Sequence, residues 1–147
     1  MKATEGRFGR VFLLRLEDGD IIPDCIEEYA KERKVAIAQV MLLGGADKGD
    51  VVVGPRETEA SQPDPMLVPL EGAHEIVGLG VIAPDEDNNP VLHMHAAHGR
   101  EGNTITGCVR PGIKTWLVGE VVICEILFAD ARRIRDEETG FSLLNIL

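Results

Sequence analysis

The sequence predicts a single domain built mainly of β-strands with one helix, and three observations carry that reading. Short apolar runs closed by Gly, Pro, Asp or Asn recur along the chain, as in RVFLLRL before EDGD and EIVGLGVI before APDEDNNP. Only one segment has the period of an amphipathic helix. At 147 residues the chain matches the length of one ordinary domain, and an apolar fraction of 44% suffices for one core. With one Trp, one Tyr and four Phe, that core must be aliphatic.

Arg10 to Leu16 reads as the first strand, closed by the turn Glu17-Asp18-Gly19-Asp20. Pro23 and Asp24 start the helix, where Ile26, Tyr29 and Ala30 form an i, i+3, i+4 stripe and Glu27 and Glu28 precede Lys31. Ala36 to Leu43 is a second strand ended by Gly44-Gly45, and Asp50 to Val53 a short third one stopping at Gly54-Pro55. Residues 56–67, RETEASQPDPML, have no period and read as a surface connector, with a lid as the sharper alternative. Glu75 to Ile82 is a strand whose Gly78 and Gly80 share one face, as if another backbone or a subunit packs there. His74, at its start, reads as a surface residue. The acidic loop 83–90 lacks the spacing of a calcium loop.

Val91 to Val109 reads as a β-hairpin turning at Arg100-Glu101-Gly102-Asn103, and it holds three of the four histidines. His93 and His95 are two apart, so on a strand both imidazoles leave one face. Antiparallel pairing about that turn sets Cys108 opposite His95. Two imidazoles and a thiolate on one face form a zinc-type donor set with an open fourth position. A register slip of one residue would move Cys108 to the other face and leave only the His pair. His98 has the opposite parity and points away unless a bulge near Gly99 turns it back, which makes it a second-choice ligand.

Thr115 to Phe128 is the last long strand, apolar on both faces in its second half. Glu120 and Glu125 interrupt it; solvent exposure is the simpler reading for each, and a supporting position around the metal site is the alternative for Glu120. The tail 129–147 alternates charge and ends in apolar residues that dock on the sheet or on a neighbouring subunit. Arg132, Arg133 and Arg135 stand among Asp130, Asp136, Glu137 and Glu138 and read as a solvated mixed-charge surface.

The formal net charge of −10 disfavours unaided binding to a polyanion. Cys25, Cys108 and Cys124 are odd in number and lack CxxC spacing, which points to a reducing cytoplasm, with Cys25 and Cys124 as small apolar residues. No signal-peptide pattern or membrane-length apolar run is expected.

Taken in order, GRVFLLRLEDGDIIPDCIEEYAKE, AQVMLLGGADKGDVVVGP, EIVGLGVI, HMHAAHGREGNTITGCV and GEVVICEI resemble the plants-and-prokaryotes conserved (PPC) domain, domain of unknown function 296, from Arg7 to Phe128. The resemblance implies an α+β fold with a largely antiparallel sheet and few helices, related to acetolactate decarboxylase, in a homotrimer. The family hairpin reads HxH and then Gly-Gly-His. Here His93 and His95 match the pair, Thr106 replaces the first glycine, Gly107 matches the second, and Cys108 stands where the last histidine would be. The decarboxylases carry a similar HxH-plus-His zinc site, which implies a metal-dependent lyase as one functional class. The plant members carry DNA-binding AT-hooks, and this chain has no RGRP motif.

The first functional expectation is therefore a cytosolic homotrimer holding zinc or a similar divalent ion on His93, His95 and Cys108, with a small anionic ligand at the open position and His98 or Glu120 in support. The second is a DNA- or protein-binding assembly module in which the hairpin is structural. A Cys108 nucleophile with His95 as base ranks last, because no third orienting group is identifiable.

Overall fold

The computed structural model describes residues 1–59 and 62–146. The elements run β1 (Arg7–Glu17), β2 (Ile21–Ile22), α1 (Asp24–Glu32), β3 (Ala38–Pro55), β4 (Pro65–Pro84), β5 (Pro90–Arg100), β6 (Asn103–Cys108), β7 (Ile113–Leu127), β8 (Ala131–Arg135) and β9 (Ser142–Ile146). Every pairing is antiparallel, so the fold is a mostly antiparallel sheet with one short helix.

Strand order in the main sheet is β1-β7-β3-β4-β5-β6, with β2 paired to β7. β6 also touches β3 through Val52 and Cys108, so the sheet curls until β3, β4, β5 and β6 enclose a common interior. That closure depends on Gly107: a β-carbon there would lie 2.8 Å from Val51 Cγ1 and 2.9 Å from the Val52 carbonyl carbon. The interior holds Val40, Leu42, Ile82, Leu92, Met94, Val121 and Ile123, all fully buried. Helix α1 adds Ile26 and Ala30, the two stripe positions that are fully buried, while Tyr29 packs at the margin and meets Phe12 edge-on.

Several local expectations are corrected. The strands expected at 36–43 and 50–53 are one strand, β3, because the Gly44-Gly45 stretch and Ala46 are accommodated by register shifts rather than by a turn. Both glycines lie against the β7 backbone, where a β-carbon has no room, so they mark close approach rather than an end. β4 begins at Pro65, inside the segment expected to be a connector. Ala60 and Ser61 of that connector lie outside the described residues; around them, the Arg56 and Asp64 side chains form an ion pair at 3.0 Å. Gly78 and Gly80 do mark close packing, but the neighbour is β5: β-carbons would lie 3.0 Å from Met94 Sδ and 2.8 Å from His93 O.

Glu125 is buried rather than solvated, because Arg10 reaches it with Nε and Nη2 at 2.8 and 2.6 Å and the Arg10 amide adds a third bond at 3.1 Å. The arrangement requires Gly9, whose β-carbon would fall 2.7 Å from Glu125 Oε2. The Arg10 guanidinium holds the Glu125 carboxyl below its ordinary pKa. His74 is buried, not at the surface, and its Nδ1 bonds the Gly72 carbonyl at 2.8 Å. Two of the tail arginines are also anchored: Arg132 binds the 83–90 loop through Asp85 O, Glu86 O and Asn88 Oδ1, and Arg133 is buried.

Candidate metal centre

Burial along β5 alternates, with Leu92, Met94, Ala96 and His98 inward and Val91, His93, His95 and Ala97 outward. The hairpin turns through Glu101 and Gly102, whose φ values of 52° and 78° match the primed turn that suits strand twist. The register that follows pairs His98 with Ile105, Ala97 with Thr106 and His95 with Cys108. Cys108 therefore shares the outer face with His93 and His95. One donor atom from each of the three residues lies within 4.8 Å of the others. The two imidazole Nε2 atoms stand 3.1 Å apart, with the rings edge-on at 74°.

These distances fit a tetrahedral ion. Bonds of about 2.0–2.1 Å to nitrogen and about 2.3 Å to sulfur set ligand atoms about 3.3–3.6 Å apart, so the pair of imidazoles at 3.1 Å needs almost no adjustment, while the group as a whole, spanning up to 4.8 Å, closes by about 1 Å on binding. The electrostatics agree with the geometry. Burial first, then the positive charges of Arg110 and Arg133 and the adjacent His95, push the His93 pKa down to about 4. At neutral pH His93 thus carries a free lone pair, the form that binds a metal.

The donors open on two adjoining hollows. One, of about 770 Å³, lies between β4, β5 and the tail hairpin β8–β9, and includes Val81, His93, Arg133 and Leu143. The other, of about 560 Å³, lies on the β6 side and includes Val53, Pro65 and Cys108. His93, His95, Arg110 and Phe141 border both.

The two further positions suggested by sequence are not brought to this site. His98 faces the interior, fully buried, and its Nδ1 bonds the Ile105 carbonyl at 3.1 Å. Glu120 is exposed on the outer face of β7, on the row Glu120–Leu43–Val77–Ala97, three strand spacings or roughly 14 Å from β5. Arg110 and Arg133 are the residues that sequence reasoning missed. Arg110 follows the hairpin directly, and the Ala131–Arg135 alternation, with positions 131 and 133 inward, was the available signal for Arg133.

Among solved structures, the chain is similar to a metal-containing protein of Archaeoglobus fulgidus at 25% identity and a TM-score of 0.84, covering 99% of each chain. It is similar to a plant- and prokaryote-conserved protein of Pyrococcus horikoshii at 21% identity and a TM-score of 0.84, covering 100% of this chain and 99% of that one. It also shares the fold of a Ralstonia eutropha JMP134 protein described only provisionally as DNA-binding, at 19% identity and a TM-score of 0.72 over 92% and 90% of the two chains. No curated protein matches the sequence. The model of the Plants and Prokaryotes Conserved (PCC) domain matches residues 3–127, and the chain belongs to that family.

Proposed function

We propose that this protein is a small homotrimer of a reducing, cytosolic compartment that holds a divalent ion, zinc by the chemistry of its donors, on His93, His95 and Cys108. The observation that carries the reading is the convergence of those three side chains within 4.8 Å on the outer face of one hairpin. Two imidazoles and a thiolate leave one tetrahedral position for water or a small anion. A bound divalent ion would supply Lewis acidity at that position, polarising an oxygen or lowering the pKa of a water. The chain's own contribution is to keep His93 neutral, to hold the donors in register and to surround the open position with apolar side chains. The metal-containing relative in Archaeoglobus fulgidus supports the reading.

The test is metal content per chain in tag-free protein, measured by elemental analysis beside a His93→Ala/His95→Ala variant. Near-stoichiometric metal that disappears in a folded variant is expected. Absence of metal in the wild type after zinc is supplied would overturn the site. A metal-dependent lyase of the acetolactate decarboxylase kind is the enzymatic version, tested by turnover that His95→Ala abolishes.

Homotrimerisation is part of the proposal because the outer sheet face is apolar and uncovered in one chain. Leu13, Leu43 and Val77 are 79%, 56% and 56% exposed, and they run across β1, β3 and β4. Such a face marks an association site. A second reading, an assembly module whose hairpin is structural, draws on the same observation and predicts that chelation leaves partner binding unchanged. Its DNA-binding version is opposed by the net charge of −10, and no retention of duplex DNA at about 50 mM salt, where electrostatic affinity is strongest, would exclude it.

A further inference from the structure

The cleft beside the histidines has a charge character opposite to that of the chain. Asp and Glu make up 25 of 147 residues, yet among the described residues no Asp or Glu lines it, whereas two guanidinium groups, Arg110 and Arg133, do. Arg133 is 95% buried by its 5% relative exposure, and among the described residues it makes no ion pair. Its Nε donates to Val91 O at 3.3 Å and its Nη2 to Val81 O at 3.0 Å. A guanidinium has five N–H donors, so three are left without a protein acceptor among the described residues. The backbone bonds fix the plane of the group, and the rest of it borders the cleft.

The half-buried Glu27 carboxylate acts on Arg133 only through space, without forming an ion pair, so the guanidinium has no directly bonded counter-ion and an anion in the cleft would supply one. A carboxylate is the natural complement, since its two oxygens match the fork of a guanidinium. Much of the remaining wall of the cleft is apolar, made by Leu79, Val81, Ile126, Leu143 and Leu144. An inorganic anion would leave that wall unused, and a neutral apolar molecule would leave Arg133 unpaired.

We propose that the cleft binds a small amphiphilic carboxylate, with its head on Arg133 and Arg110 and its branched or aromatic body against Leu79, Val81 and Leu143. The head then sits beside His93 and His95, so an oxygen next to the carboxylate reaches the open metal position; this last step rests on the metal reading above, while the arginine anchor does not. Arg133 is the positioning group that selects an acid over its neutral analogues.

The experiment is an NMR titration of tag-free protein with 4-methylpentanoate, 4-methylpentan-1-ol and inorganic phosphate, each in zinc-supplied and chelator-treated samples. Saturable binding of the carboxylate in both samples is expected, with the alcohol and phosphate weaker by about tenfold or more. Arg133→Met and Arg110→Met should each weaken the carboxylate by about tenfold while leaving the alcohol unchanged. Should Arg133→Met not fold, Arg110→Met at its exposed position decides alone. No saturable binding of the carboxylate, equal affinity for it in the folded arginine variants, or phosphate or alcohol binding as tightly would overturn the proposal. Metal analysis of the same samples separates the two readings: carboxylate binding without metal retains the anchor and removes the ion, and metal without carboxylate binding does the reverse.

Discussion

Gly107 is the residue on which both the closure of the sheet and the seating of Cys108 depend, and Gly107→Ala tests that dependence. The added methyl would meet Val51 Cγ1 at 2.8 Å, the Val52 carbonyl carbon at 2.9 Å, and the Val52 oxygen nearer still. Non-bonded carbon contacts settle at about 3.5–4.0 Å, so β6 or β3 must give by on the order of 1 Å. The blocking atoms are mostly backbone and cannot rotate away. Overpacking of this kind costs about 1–3 kcal/mol, which in a chain of this size lowers Tm by roughly 3–10 °C. Cys108 is the next residue and moves with the strand. A shift of that size adds to the closure the donors must already make, so the thiolate is held less well for coordination and zinc affinity falls by roughly 10- to 100-fold. Calorimetric Tm and competition titration against a zinc chelator measure the two effects. A Gly107→Ala protein with wild-type Tm and wild-type zinc affinity would refute the reasoning, because the space at β6 would then not set the position of Cys108.

Removal of metal from the zinc-loaded protein lowers Tm, since zinc at 100 times its Kd contributes about 2.7 kcal/mol; His95→Ala should show no such difference between loaded and stripped samples. Val77→Glu or Leu43→Glu adds a second charge to the exposed row that already holds Glu120 and should convert the proposed trimer to monomers, read as mass by light scattering; an unchanged mass would remove this face as the interface. Ile123→Ala, at a fully buried position, should cost about 2–5 kcal/mol in denaturant unfolding, whereas no loss would mean that the interior at β7 is not tightly packed. In stripped protein, stability falls as pH drops below 6.5, the ordinary histidine value. Burial lowers the His98 pKa, the Ile105 carbonyl opposes that, and His74 adds to it, so below 6.5 the unfolded chain takes up a proton that the folded chain refuses. His93, held down to about 4, acts with the same sign. His98→Gln should therefore flatten the decline of Tm between pH 6.5 and 5 without abolishing it, and an unaltered slope would exclude His98 as a source.

Much of the fold was legible because its strands obey period two and its turns carry their own chemistry. Glu101-Gly102 takes two left-handed residues, and that local fact fixes the hairpin register from Arg100–Asn103 to His95–Cys108. The helix was legible from Pro23 and the Ile26, Ala30 stripe. β3 was not, because Gly44 and Gly45 serve a close approach to β7 that only the assembled sheet reveals, and a glycine pair reads locally as a turn. Glu125 was misjudged for the same reason: its partner Arg10 is 115 positions away, and Gly9, which makes room for it, carries no signal of its own.

The cleft was the least legible part of the site, and the reason is physical rather than statistical. A metal triad on one hairpin is a local object, set by strand parity and one turn, so sequence spacing suffices to find it. The charge that surrounds it is assembled from distant segments: Arg110 from the turn after β6, and Arg133 from a strand beyond the matched family domain at residues 3–127. In sequence Arg133 is surrounded by acids and looks neutralised. In the fold, β8 turns Arg133 inward toward Val81 and Val91 while Arg132 lies on the other face and Arg135 is exposed at the end of the strand, so the neighbours in sequence do not share its environment. Neutralisation by sequence proximity presumes a common solvent, and the alternation of a strand removes that condition one residue at a time. The tail therefore does more than close the domain: it delivers the buried Arg133 guanidinium that gives an acidic protein a cleft suited to an acid.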